Sequence, residues 1–210
     1  MNSALLEIFG IEREVDWKIL ASILMVESGG KGFYANGNIK KRYEPGIYAG
    51  LLRKKQNKIT RILPGLKKSW VAKHSEEQLS LMSTSYGIAQ IMGWHYPALG
   101  YQSVEEMVRD YSADEDNQTN SFLKFVTFYR YGKFLKALKD LDYKKIAIMY
   151  NGAGYKRNGY DKKLKYYYST LENEYIPLPI DIEPIGYGGP TIFQKTEDLW
   201  RRYFKTSYPV

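Results

Sequence analysis

The stretch that most constrains the fold is an apolar run from Trp17 to Val26 that stops abruptly at Glu27-Ser28-Gly29-Gly30. Ile19, Leu20, Ile23 and Leu24 recur at helical spacing. Two successive glycines are the usual stop just past a helix end. The pattern predicts a buried helix over 15–28 with a carboxylate in its last turn. A carboxyl group there is partly desolvated and feels the negative end of the helix dipole, and both effects raise its pKa. A protonated carboxyl on a rigid support is what a general acid needs. The same residues also describe a plain helix C-terminus with a solvated Glu27, and this stretch alone favours that plainer reading.

The 210 residues suffice for one core. Composition shifts after Tyr175: residues 176–190 hold four prolines and three glycines, a linker-like or wrapping segment. The expected organisation is a main domain over 1–175 followed by this segment and a C-terminal helix over 191–205. Arg201, Arg202 and Lys205 beside Trp200, Tyr203 and Phe204 suit weak contact with a membrane surface. Trp200 and Phe204, four apart on one face, favour docking onto the main domain instead. Cysteine is absent, which excludes disulfides and thiolate metal sites. His74 and His95 lack metal-ligand spacing, so no metal and no cofactor is expected. The apolar run near the N-terminus is about ten residues and follows Glu12, Arg13, Glu14 and Asp16, unlike a signal peptide or a membrane span.

The net charge of +8 is unevenly placed: residues 31–75 hold twelve Lys and Arg against one acid, Glu44. A second basic region runs from Lys124 to Lys165. Such a surface attracts polyanions, whether nucleic acid, anionic lipid or an anionic cell wall. The 20 tyrosines suit either bases or sugars. No nucleic-acid motif accompanies the charge, so no nucleic-acid partner is expected.

Most of the chain reads as helix. Ser75-Glu76-Glu77-Gln78 and Ser103-Val104-Glu105-Glu106 are capping boxes. Residues 47–55, 76–82, 114–129, 133–138, 143–150 and 160–174 carry helical patterning. Residues 86–92 read as a short apolar helix stopped by Gly93. A small hairpin over 33–43, turning at Asn36-Gly37, is the one β element the pattern suggests. The fold class is mostly α.

Three segments carry chemistry: Glu27-Ser28, Ser85-Tyr86-Gly87-Ile88-Ala89-Gln90-Ile91-Met92, and Tyr150-Asn151-Gly152-Ala153-Gly154-Tyr155. In this order they resemble the lysozyme-like superfamily of goose-type lysozymes and lytic transglycosylases. Adding Arg42-Tyr43-Glu44-Pro45 and Tyr160-Asp161-Lys162-Lys163-Leu164, the chain resembles most closely the N-acetylmuramidase domain of phage endolysins, over roughly 16–168. The resemblance implies a lysozyme-like helical domain that cuts the peptidoglycan glycan strand between N-acetylmuramic acid and N-acetylglucosamine. It also implies synthesis in a host cytoplasm, action on the cell wall after the membrane is breached, and attraction to the anionic wall surface. A monomer is expected.

Glu27 matches the family's catalytic Glu, the acid that protonates the leaving oxygen. Ser85, Tyr86, Gln90, Tyr150, Asn151 and Tyr155 fall on motifs that line the sugar site. Gly87 would let the backbone approach a sugar, and Gln90 offers both a donor and an acceptor. Ser85 is placed to bond substrate or Glu27. The Tyr150 hydroxyl either bonds Glu27 or is satisfied in the core; Asn151 either holds the sugar or caps a helix. Glu44 matches the Glu of the family's Arg-aromatic-Glu motif. It is either the second carboxylate that activates water or an ion-pair partner of Arg42 that fixes the loop.

Overall fold

The structure, a computed structural model, describes residues 1–130 and 132–173. The expected wrapping segment and C-terminal helix therefore lie outside the described residues. Within them the chain is mostly helical with one small three-stranded antiparallel sheet.

The apolar run forms helix α2, Trp17–Ser28. The Asp16 carboxylate caps its start by accepting from the Lys18 amide at 3.0 Å. Gly29 and Gly30 both take positive φ and end it. Ile19, Leu20, Ala21, Ser22, Ile23 and Leu24 are all fully buried, so α2 is the central helix rather than a surface one. It packs chiefly against helix α11, Tyr160–Asn173, and helix α1, Ser3–Arg13. Helix α1 is an addition to the sequence reading, which begins its helices at residue 15.

Strand β1, Lys41–Tyr43, pairs with β2, Thr84–Tyr86, which pairs with β3, Ile91–Met92. Residues 86–92, expected as a helix, instead make a tight β-hairpin. Gly87 and Gln90 both have positive φ, at 74° and 50°, and two left-handed residues three apart cannot sit in a right-handed helix. The expected turn at Asn36-Gly37 is present, but only Phe33 and Ile39 bridge across it; the strand that follows joins β2.

Helices α3, Pro45–Lys55; α5, Glu76–Met82; α6, Val104–Ala113; α7, Glu115–Phe128; α8, Lys133–Lys139; and α9, Tyr143–Asn151 follow the helical patterning, while the short α4, Lys68–Val71, and α10, Tyr155–Asn158, are additions to it. The Ser75–Gln78 capping box is complete. At Ser103 only half the box forms, because the Glu106 carboxylate accepts from the Gln102 amide instead.

One buried polar side chain fastens these parts together. Gln118 on α7 is 1% exposed. Its Oε1 accepts from the Ile88 amide at 2.7 Å, and its Nε2 donates to the Tyr111 carbonyl at 2.7 Å. A Cβ on Gly32 would lie 1.9 Å from this amide, and one on Gly87 2.5 Å. The loop after α2 and the β2–β3 turn thus close on Gln118 from two sides. Replacing Gln118 by Leu orphans a buried amide and a buried carbonyl, at about 1–3 kcal/mol each. The expected outcome is a melting temperature lower by several degrees, read by thermal denaturation of the two proteins side by side.

Candidate active site

Glu27 sits in the last turn of α2, where the helix reaches the molecular surface. Its side chain is surrounded on most sides and still open to solvent on one. Burial drives its pKa from the ordinary 4.5 up to about 7; a hydrogen bond from Tyr160 and the charge of Arg42 work against the rise. Desolvation is therefore the dominant cause. The Tyr160 hydroxyl donates to Glu27 Oε1 at 2.6 Å. Burial and the Glu27 charge push the Tyr160 pKa well above its usual value, so Tyr160 remains a donor throughout the physiological range.

Of the two readings left open for Tyr150, the satisfied core tyrosine is the one present, and the bond to Glu27 comes from Tyr160. The Tyr150 hydroxyl donates to the Ala89 carbonyl in the β2–β3 turn at 2.6 Å. Its ring stacks on that of Tyr160, with centroids 6.3 Å apart and planes 26° apart. Phe122, Phe125 and Phe134 surround Tyr150 in turn. Tyr150 thus locks both the turn that bears Gln90 and the ring that holds Glu27.

The hairpin residues bond mainly to one another. Ser85 Oγ donates to Gln90 Oε1 at 3.0 Å, and Gln90 Nε2 donates to the Gly87 carbonyl at 2.9 Å. The glycine at 87 makes room for Gln118, not for a ligand. Tyr86 is buried, its hydroxyl on the Leu81 carbonyl. Tyr155 is buried as well. Asn151 ends α9 and accepts from Asn158 Nδ2 at 3.1 Å.

Beside Glu27, β1 and the residue just before it supply two cations. Lys40 Nζ donates to the Ser28 carbonyl at 2.5 Å, a positive charge on the negative end of α2. Arg42 pairs with Glu44, Nη2 to Oε1, at 2.6 Å, and its charge also acts on Glu27. Glu44 is the N-cap residue of α3, and its amide donates to the Ser83 carbonyl at 2.9 Å. His74 bonds the Trp70 carbonyl and the Tyr96 hydroxyl inside an aromatic cluster. Among the described residues no group of three or more His, Asp or Glu is placed to hold a metal ion.

A family model described as Muramidase, N-acetylmuramidase, matches residues 66–172, just over half of the chain. The chain belongs to the N-acetylmuramidase family. The matched part of this muramidase holds the hairpin, Gln118, Tyr150 and Tyr160, while Glu27 and Glu44 lie before it. A structural comparison reaches further. The crystal structure of the Burkholderia AP3 phage endolysin superposes with a TM-score of 0.63 at 28% sequence identity, over 82% of this chain and 70% of that one. Comparison with curated proteins yields no match.

Sequence reasoning missed Tyr160 and Gln118 as site residues. Each had a helical signal. Tyr160 and Leu164 are the buried i, i+4 pair that opens α11, and Gln118 precedes Phe122 and Phe125 on the inner face of α7. Replacing Tyr160 by Phe keeps the ring and removes a bond that favours the carboxylate, so the Glu27 pKa rises further. With Glu27 in the general-acid role proposed below, the alkaline limb of the activity profile should move up by about one unit, the size of one hydrogen bond to a charged group. An activity profile over pH 5–9 checks this.

Proposed function

We propose that this N-acetylmuramidase is an endolysin-type enzyme that cuts the β-1,4 bond between N-acetylmuramic acid and N-acetylglucosamine in the cell wall, with Glu27 as the general acid. The observation that carries the reading is the Glu27 carboxyl at the end of α2, held by Tyr160 and with its pKa raised to about 7. An acid with a pKa near the working pH is still protonated when substrate binds and gives up its proton readily. Protonation of the leaving glycosidic oxygen breaks the bond as the ring passes through an oxocarbenium-like state. Tyr160 and Arg42 then stabilise the carboxylate left behind. Gln90 and Asn151, both partly exposed, present amides to the sugar. Ser85 holds the Gln90 amide, and Tyr86, Tyr150 and Tyr155 shape the wall from beneath. Glu44 serves as the second carboxylate that activates water. The main domain over 1–175 contains all of these residues, and wall adsorption draws on the basic surface.

A second reading draws on the Arg42–Glu44 ion pair. If Glu44 stays on Arg42, the sugar's own 6-hydroxyl attacks and the product carries a 1,6-anhydro end, as in a lytic transglycosylase.

Glu27→Gln should abolish wall lysis and leave the protein folded. The native acid has a folded pKa raised above its unfolded value of 4.5, so its stabilising contribution is present below that pH and is lost as pH rises through about 7. The amide has no such dependence, so the variant should be the more stable protein above pH 7. Wall clearing near the native rate by a folded variant sinks the assignment. Glu44→Gln should lower hydrolysis by a factor on the order of 10²–10⁴. Mass spectrometry of digested peptidoglycan reads the product ends: reducing ends support water as the nucleophile, and anhydro ends with an active Glu44→Gln variant support the transglycosylase.

A further inference from the structure

Two segments that adjoin Glu27 are both cationic. From residue 29 to 44 the chain carries four Lys and Arg against one acid, Glu44, and from 151 to 163 four against one, Asp161. The first segment leaves the end of α2 and passes Arg42 close enough for its charge to act on Glu27. The second leaves α9 at Asn151 and returns at Tyr160, whose hydroxyl bonds Glu27. Lys31, Arg42, Lys156 and Arg157 are all exposed. Arg42 spends its charge on Glu44; Lys31, Lys156 and Arg157 have no ion-pair or hydrogen-bond partner among the described residues.

We propose that these cations form a subsite for the carboxylates of the peptide stem borne by the muramic acid ring at the scissile bond. The inference rests on the muramidase reading. A glycan strand is itself neutral, because the muramic carboxyl is consumed in the amide that attaches the stem. A sugar-only site therefore gains nothing from cations on both adjoining segments, while their mutual repulsion disfavours the compact fold. The stem carries free carboxylates, and it hangs from the ring that must lie against Glu27. A wall phosphate polymer would be drawn to any basic face. Cations placed on the two segments that adjoin the acid fit a group tied to the scissile ring. Rim charges of this kind favour encounter and register more than they add affinity.

The test uses the full chain and three substrates: glycan strands with stems, strands stripped of stems by an amidase and then capped as the methylamide at the muramic carboxyl that this frees, and strands whose stem carboxylates have been amidated. All are freed of wall phosphate polymer. The native protein should cleave stem-bearing strands with a kcat/KM about tenfold above that on stripped or amidated strands, an advantage of the size a few screened rim charges supply. Rising salt should shrink the advantage. In the double charge reversal Lys156→Glu with Arg157→Glu, the ratio between stem-bearing and stripped strands should fall towards one. Equal rates on all three substrates with the native protein overturn the proposal and leave the muramidase reading standing. A preference that appears only when phosphate polymer is retained overturns it in favour of that polymer. No cleavage of any strand overturns the muramidase reading and this subsite together.

Discussion

Helix α2 has no polar side: its residues from Ile19 to Leu24 are fully buried, so other helices must cover it all round. The helix then reaches solvent at its ends, with Asp16 and Lys18 at the start and Glu27 in the last turn. The glycines after it turn the chain away at once, because positive φ is what lets the backbone leave a helix in one step. The acid is therefore placed by the hydrophobic core itself. Its desolvation is a by-product of the same burial that stabilises the fold, which is why desolvation dominates its pKa.

A helix end fixed only by apolar packing would be free to rotate or slide by fractions of an ångström. Polar anchors of low exposure remove that freedom. Lys40 ties β1 to the last carbonyl of α2, Gln118 ties α7 to the hairpin, and Tyr150 ties α9 to the same hairpin. Each is satisfied by backbone atoms, so none competes with a ligand for its bonds. Buried polar groups in such an arrangement fix one geometry, because any shift leaves a donor or acceptor unmet. Tyr160 then meets Glu27 through a ring already clamped by Tyr150.

How far the sequence reveals this depends on the range of the interaction. The end of α2 was legible because an apolar run, a carboxylate and two glycines are adjacent, and the capping boxes at Ser75 and Ser103 were legible for the same reason. The 86–92 hairpin was not. Its residues are apolar enough for a helix, and the decision comes from β1, more than forty residues earlier, and from Gln118, some thirty residues later. For Tyr150 the sequence left open a bond to Glu27 or a satisfied place in the core, and it did not point to Tyr160. The two rings lie stacked, and ten residues of sequence separation say nothing about which hydroxyl points at Glu27 and which at Ala89.

The Arg42–Glu44 pair bears on the step that would follow if Glu27 acts as the proposed general acid. A carboxylate engaged at 2.6 Å looks unavailable as a base, yet the Arg42 side chain is 76% exposed and that of Glu44 33%. An ion pair so open to water is worth little, at most about 1 kcal/mol, and can exchange partners cheaply. Proton transfer from Glu27 creates a new anion in a drier place, where a nearby cation counts for more. Under the proposed mechanism Arg42 would then be drawn towards Glu27 and would release Glu44 at the moment when an incoming water needs a base. On this view the ion pair marks the resting state of the second carboxylate, and the arginine links the two acids.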